Sequence, residues 1–211
     1  MPKPTPDSKE IQKRIKEIII ATRNILSYED FNQLTIDQIS EQVSISKGSI
    51  YNIFNNKEEI LMYMANSALR ELLKKLKASI KEKLSPEENI INIAENYIDY
   101  MLNNNLNAKI ILYSKKPFLN IDDETSKKEL TNKTDALIID TLSNQITKVL
   151  ESKNNINNIK KTTNEICFTI WSISYGIVSL YLSPSNSLFN FTDTELKTIY
   201  INRIKSLIRL I

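Results

Sequence analysis

The chain has 211 residues and a mass of 24.4 kDa, with 41% hydrophobic and 25% charged residues, which fits a globular protein of one or two domains. It has no histidine and a single cysteine, Cys167, so histidine-based catalytic triads, histidine metal ligands, internal disulfides and cysteine metal clusters are excluded. Only two glycines and six prolines are present, which argues against a β-rich or loop-rich fold. We therefore expect no catalytic residues, no metal and no cofactor.

The net charge is +3, and the excess lies in the first part of the chain. Residues 1–83 hold 14 basic and 11 acidic side chains, and residues 84–211 hold 14 of each. This asymmetry weakly favours an anionic partner near the N-terminus. The start Met1-Pro2-Lys3-Pro4 lacks the apolar core of a signal peptide, and the most apolar stretch, residues 166–182, is short for a membrane span and is interrupted by Ser and Thr. We expect a cytoplasmic protein without a membrane segment.

Apolar residues recur with the helical period along almost the whole chain, and no segment alternates as a strand would. An N-terminal arm, residues 1–9, leads into a first helix capped by Asp7 or Ser8. One or two helices are predicted from residue 56 to about 84, and Ser85 and Pro86 open another. A shorter apolar piece at 110–113 precedes a loop to about 125, and helices follow at about 126–152, 160–182 and 193–211. The predicted fold class is all-α, with about nine helices.

Residues 35–61 have the caps and spacing of two short helices joined by a turn. Thr35 and Gln38 form a capping box, Ser46 is an N-cap for the second helix, and Asn56 with Glu59 caps the helix that follows. This pattern predicts a helix-turn-helix unit at about residues 36–55. A generic two-helix hairpin in a helical bundle would explain the same caps.

The second short helix separates an apolar face, with Ile50, Ile53 and Phe54, from a polar one. Recognition helices present their N-terminal residues to the major groove, where Asn pairs with adenine and Lys with guanine or a phosphate. The helix N-termini add backbone N–H donors for phosphate oxygens. The candidate DNA-binding residues are Thr35, Ser46, Lys47, Gly48, Ser49, Tyr51, Asn52 and Lys57.

The stretch ISKGSIYNIFNNKEEIL resembles the signature V-S-x-G-x-L/I-Y-x-x-F-x-x-K-E-x-L of the tetracycline-repressor (TetR) family of bacterial regulators. The chain departs from the family pattern at Ser44 and Asp30, where glycines are common, although Ser and Asp tolerate turns. The likeness covers about residues 10–65. It implies a three-helix DNA-binding domain there, followed by a helical ligand-binding and dimerisation domain in residues 66–211. The positions that match are Ile45, Ser46, Gly48, Ile50, Tyr51, Phe54, Lys57, Glu58 and Leu61 or Ile60.

The resemblance implies a regulator, most simply a repressor, that binds a palindromic operator in double-stranded DNA as a homodimer and is released by a small-molecule effector. The sequence supports a dimer independently, because the helix at 160–182 is apolar on all sides and carries a row of small residues that lets another helix approach. A wholly intramolecular core is the alternative. The expected interface residues are Ser172, Gly176, Ser179, Ile204, Leu207 and Ile208.

Aromatic and apolar residues on facing helices are candidates for an effector pocket, although core packing would explain each of them singly. Asp99 and Asp140 fall on polar faces, and no carboxylate joins an apolar stripe, so we expect an apolar or neutral effector. Cys167 is most simply a buried small hydrophobe, with a redox sensor as the alternative. The pocket candidates are Tyr97, Tyr100, Met101, Tyr113, Phe118, Leu137, Phe168, Trp171 and Tyr175.

Two other functions compete with the regulator. The first is a helical small-molecule-binding or scaffold protein that does not bind DNA. The second is an enzyme that uses tyrosines and carboxylates, but the one acidic cluster, Asp122-Asp123-Glu124, has the character of a solvated loop. A comparison of DNA binding by wild type, Lys47→Ala and Tyr51→Phe would separate the regulator from the first, and the enzyme would need a pocket with paired carboxylates or an activated tyrosine.

Overall fold

The computed structural model describes residues 8–115, 126–153 and 158–210, and regular structure in those ranges is entirely helical. The expected all-α class is confirmed. Most of the arm, residues 1–7, and the predicted loop at 117–125 lie outside the described residues. The helices are α1 Ser8–Ile25, α2 Ile36–Val43, α3 Lys47–Tyr51, α4 Lys57–Ser79, α5 Pro86–Asn103, α6 Asn105–Ser114, α7 Ser126–Ser152, α8 Ile159–Tyr181 and α9 Asp193–Arg209, with a 3₁₀ turn at Pro184–Leu188 between the last two.

Local capping explains where several helices begin. The Thr35 hydroxyl accepts a hydrogen bond from the Gln38 backbone N–H at 3.2 Å, and the Gln38 side chain accepts one from the Thr35 N–H at 2.8 Å. Ser85 and Glu88 close the same reciprocal pair at the start of α5, where Pro86 occupies the first turn. These contacts satisfy backbone donors that the first helical turn would otherwise leave without partners.

Three helices differ in extent from the prediction. The second short helix, α3, ends at Tyr51 and not near Phe54, because the Ile53 N–H bonds the Ile50 carbonyl three residues back and tightens the chain into a turn. Helix α4 ends at Ser79, before the predicted residue 84. Helix α6 spans ten residues, Asn105–Ser114, although only residues 110–113 were predicted.

The buried apolar residues form two clusters. The first joins α1, α2 and α3 to the start of α4, up to Ala65, and the second joins the rest of α4, from Ala68, to α5, α7, α8 and α9. The predicted domain boundary at 65/66 therefore falls inside α4, between the two clusters.

Helix α6 contributes to both clusters. Ile110 and Tyr113 belong to the first, where Tyr113 stacks on Phe31 with ring centroids 4.8 Å apart, and Ala108 and Ile111 belong to the second. Helices α4 and α6 contribute residues to both clusters, so a shift of either helix would displace side chains in both.

Candidate functional site

Helix α3 presents a polar surface at one end of the molecule. Its apolar side chains are buried, with Ile50 0% and Phe54 in the following turn 1% exposed, whereas Tyr51 is 51% exposed. Of the candidate DNA-binding residues, Thr35, Ser46, Lys47, Gly48, Tyr51 and Asn52 are exposed, and Ser49 and Lys57 are half-buried.

The first turn of α3 is open to an approaching partner. The Ser46 hydroxyl accepts a hydrogen bond from the Ser49 N–H at 3.2 Å and lies 2.9 Å from the Ser49 hydroxyl. A Cβ built on Gly48 would meet only the Ser46 Oγ, at 3.9 Å, so no contact within the chain requires a glycine there. A glycine on an uncrowded surface leaves room for another backbone to come close.

Lys47 forms an ion pair with Asp37 that the sequence did not predict. Its Nζ lies 2.7 Å from Oδ2 of Asp37 in the first turn of α2, and this hydrogen bond together with the charge of Asp37 raises the pKa of Lys47. Both side chains are more than half exposed. Asp37 and Lys47 are ten residues apart and meet only because the turn folds α3 across α2, so helical spacing could not reveal the pair.

The Lys57 ammonium faces the backbone of the loop before α2. It donates hydrogen bonds to the carbonyls of Leu34 at 3.0 Å, Asn32 at 3.1 Å and Phe31 at 3.4 Å. These contacts occupy the three N–H donors of the ammonium, so this side chain fastens the loop to α4 in the structure described here.

A small cavity of about 50 Å³ lies in the second cluster. Tyr97 and Trp171 are the predicted pocket residues that line it. Its few polar groups include Ser174 and Tyr200, whose hydroxyls lie 2.8 Å apart. The lining residues are Leu76, Ile90, Ile93, Ala94, Tyr97, Ile138, Ile139, Leu142, Cys167, Ile170, Trp171, Ser174 and Tyr200.

The other predicted pocket residues lie elsewhere. Tyr100 and Met101 are buried, and the Tyr100 hydroxyl donates to the Ala68 carbonyl at 3.0 Å. Tyr113 packs on Phe31 in the first cluster. Three candidates are on the surface, and Phe118 lies outside the described residues. The exposed fractions are 47% for Leu137, 73% for Phe168 and 36% for Tyr175.

Cys167 lines the cavity, and Asp135 lies one helical turn before the lining residues Ile138 and Ile139; burial raises the pKa of both groups. Burial raises the pKa of the Cys167 thiol to about 11, so it is protonated at neutral pH. The expectation that no carboxylate joins an apolar stripe was wrong, because Asp135 on α7 is largely buried beside Lys115. The buried face of α7 is rich in threonine, including Thr131, Thr134 and Thr141, so the spacing of apolar residues alone does not reveal that face.

The predicted interface residues fall into two groups. Ser172 is exposed, and Gly176, Ser179 and Leu207 are half-buried, but Ile204 and Ile208 are 0% and 7% exposed and pack inside their own chain. Between residues 166 and 182, α8 carries no charged side chain. The outward face of α8 is an uncharged surface. It is formed by Phe168, Tyr175 and the small residues Ser172, Gly176 and Ser179.

The described ranges hold no helix that is long and apolar enough to cross a bilayer. Nor do these parts of the chain contain three His, Cys, Asp or Glu residues grouped to bind a metal ion.

Residues 18–64 match the family model described as bacterial regulatory proteins, tetR family. A fatty acid metabolism regulator protein from Bacillus subtilis is 30% identical over 81 residues, which is 37% of this chain and 42% of that relative. The match therefore spans less than half of the relative's length.

Solved structures share the whole fold at low identity. The transcriptional regulator FadR from Bacillus subtilis, in complex with stearoyl-CoA, superposes with a TM-score of 0.69 at 16% identity, covering 92% of this chain and 96% of that one. Thermus thermophilus FadR, a TetR-family repressor in complex with lauroyl-CoA, gives a TM-score of 0.63 at 13% identity, covering 92% and 93%. The chain therefore matches the tetR-family model over its helix-turn-helix segment and shares the fold of these regulators along most of its length.

Proposed function

We propose that this protein is a transcriptional regulator, most simply a repressor, that binds a palindromic operator in double-stranded DNA as a homodimer. The observation that carries the proposal is the α3 surface: its apolar residues are buried, and an uncrowded first turn with Lys47, Gly48 and Tyr51 faces outward. A helix presented in this way fits the major groove with its N-terminal residues toward the base edges.

Each exposed residue has a role that follows from its chemistry. Asn52 pairs with adenine, Lys47 contacts guanine or a phosphate after leaving Asp37, and the Tyr51 hydroxyl contacts a phosphate. Thr35 and Ser46 stand at helix N-termini, where backbone N–H groups favour anions. Lys57 contributes to DNA binding by fastening the loop before α2, and it contacts phosphate only if it releases a carbonyl.

The outward face of α8 is the proposed dimer interface, with Ser172, Gly176 and Ser179 at its centre and Phe168 and Tyr175 beside them. Leu207 on α9 extends it, whereas Ile204 and Ile208 support it from inside the chain. Two copies related by a twofold axis would bury this uncharged surface and set the spacing of the two α3 helices.

The cavity in the second cluster is the proposed effector site, and an acyl chain is the effector class that we propose. The lining is nearly all apolar, and two FadR proteins of the same fold are described in complex with acyl-CoA molecules. Binding would act on DNA through α6, because Ala108 and Ile111 of this helix belong to the second cluster, which holds the cavity, and its Tyr113 stacks on Phe31 in the first. A coupling of about 1–3 kcal/mol is enough for a useful switch.

Selection from a random duplex library, followed by fluorescence anisotropy on the recovered site, tests the proposal. We expect a symmetric site, weaker binding for Lys47→Ala at all sequences, and a loss at particular bases for Asn52→Ala. Lauroyl-CoA should lower the DNA affinity. If the protein binds lauroyl-CoA but no duplex at low salt, it is a helical ligand-binding protein and the regulator proposal fails.

A further inference from the structure

A row of hydrogen-bonded polar groups connects four helices in the interior of the subunit. Arg23 in the last turn of α1 donates from its guanidinium to the side-chain oxygen of Asn107 on α6 at 2.8 Å. The Asn107 side-chain nitrogen donates to the Tyr100 hydroxyl of α5 at 3.0 Å. That hydroxyl faces two acceptors on α4, the Ala68 carbonyl at 3.0 Å and Oε2 of Glu71 at 3.2 Å.

This polar row passes from one apolar cluster to the other. Arg23 is two residues before Ile25 of the first cluster, whereas Tyr100 belongs to the second. On α4 the first cluster ends at Ala65 and the second begins at Ala68, whose carbonyl is an acceptor of the Tyr100 hydroxyl. The row therefore joins the DNA-binding helices to the rest of the subunit at the boundary between the clusters.

Each link in the row has a direction that the chemistry of its groups determines. A guanidinium carries only donors, so the Asn107 oxygen must face Arg23 and the Asn107 nitrogen must face Tyr100. The Tyr100 oxygen accepts that bond, and its single proton is left for α4. Asn107 and Tyr100 are only 7% and 2% exposed, so a broken link would leave a buried polar group without a partner.

We propose that Asn107, held between Arg23 and Tyr100, is a positioning residue that fixes the orientation of the DNA-binding helices and so determines which half-site spacing the dimer accepts. This inference rests on the proposed function as a dimeric regulator of a palindromic operator. Apolar contacts are non-directional and tolerate small shifts between the clusters. A hydrogen bond is lost when its atoms separate by less than about 1 Å more, so a shift of α1 relative to α6 breaks the Arg23–Asn107 link.

Half-site spacing is sensitive to this orientation because the two α3 helices must reach their grooves together. Inserting one base pair between the half-sites separates them by about 3.4 Å more and rotates one relative to the other by about 35°. A dimer whose DNA-binding helices are held firmly then loses contacts at one half-site. A dimer whose helices can shift recovers part of those contacts, so it distinguishes the two spacings less well.

Fluorescence anisotropy of the full chain on three duplexes tests the inference: the selected operator, the same operator with one central base pair inserted, and a single half-site. Asn107→Leu removes both of its hydrogen bonds with a side chain of similar volume, and the Tyr100 hydroxyl keeps its acceptors on α4. Arg23→Met, at a half-buried position, cuts only the link to α1 and replaces the first variant if that one does not fold. The matched control is Asn96→Leu, which removes an exposed amide bonded to the Asn92 carbonyl of its own helix at 2.9 Å.

We expect wild type and Asn96→Leu to bind the inserted operator at least about tenfold more weakly than the selected one, and Asn107→Leu and Arg23→Met to show a difference of about threefold or less. Because both substitutions cut the same link, the double variant should match Asn107→Leu. Half-site affinity of Asn107→Leu should stay within about twofold of wild type, since α3 itself is unchanged.

The outcomes separate the two proposals. A spacing preference that survives in both variants, or wild type that binds the two operators equally, overturns the inference and leaves the regulator proposal standing. A loss on the single half-site as large as the loss on the operator assigns Asn107 a role in folding alone and also overturns the inference. If wild type binds none of the duplexes at low salt, both proposals fail.

Discussion

Replacing Asp37 by asparagine should strengthen DNA binding by freeing Lys47. Lys47 is the only cation of α3, and in the structure its Nζ lies 2.7 Å from Oδ2 of Asp37. DNA must displace this partner before Lys47 reaches a phosphate or a guanine. Asparagine keeps the size of the side chain and removes the charge that holds the ammonium.

The magnitude follows from the modest strength of exposed ion pairs. Lys47 reaches the DNA in both proteins, so the slope of log affinity against log salt between 50 and 200 mM should be the same for wild type and Asp37→Asn, whereas Lys47→Met should make it shallower by about 0.9. At 50 mM salt we expect Asp37→Asn to bind about twofold to fivefold more tightly than wild type.

Fluorescence anisotropy on a labelled operator across that salt range measures both quantities. In a Lys47→Met background the same Asp37 substitution should raise the affinity less, because there is no ammonium for it to free. An equal gain in both backgrounds would refute the reasoning, because the charge of Asp37 itself, and not its contact with Lys47, would then oppose binding. So would a loss of affinity restricted to certain base pairs, since Asp37 would then read bases directly and not restrain Lys47.

Four further changes test other parts of the structure. Ser44 ends α2 in the left-handed region with φ 57°, so Ser44→Gly should raise the free energy of unfolding by up to about 1 kcal/mol in urea titrations, and a decrease would contradict the strain argument. Lys57→Met leaves three backbone carbonyls without their charged donor and should lower the free energy of unfolding by about 1–3 kcal/mol, with an unchanged value showing that the contacts are dispensable. No atom of the chain itself lies within 4 Å of a Cβ built on Gly176, so Gly176→Glu should leave the fold of the subunit intact and should give monomers of unchanged helicity in analytical ultracentrifugation; a dimeric Gly176→Glu would place the interface elsewhere. Burial raises the pKa of Tyr100 to about 12, so the unfolded chain loses this proton first as pH rises past 10; stability should fall by up to about 1.4 kcal/mol per pH unit for this group between pH 10 and 12, and Tyr100→Phe should make that fall shallower.

The features that the sequence predicted correctly are local ones. Thr35 and Ser46 identify the starts of α2 and α3 because their caps close within three residues, and the resemblance of residues 45–61 to a family signature rests on the same short stretch. Cap and face patterns need no knowledge of the rest of the chain, so the polar surface of α3 was predictable residue by residue.

The features that were missed depend on contacts between distant segments. Polar Asn105, Asn107 and Lys109 obscure the apolar period of α6, and Asn107 is buried because Arg23, 84 residues away, donates to its side chain at 2.8 Å. The aromatic candidates could not be divided by spacing alone: Tyr97 lines the cavity, whereas Tyr113 reaches the other cluster through α6. Such assignments depend on how the helices pack against one another. The sequence gives the order of the helices along the chain but not their orientation in space.

Helix α4 is a single helix that connects the two apolar clusters. It spans 23 residues, so its length is about 34 Å at 1.5 Å per residue, and its first turns lie in one apolar cluster while its last turns lie in the other. A tilt of about 5° at the cavity end would displace the opposite end by about 3 Å. In a twofold assembly both copies would swing, and the distance between the two α3 helices would change by up to twice that amount without any helix having to bend.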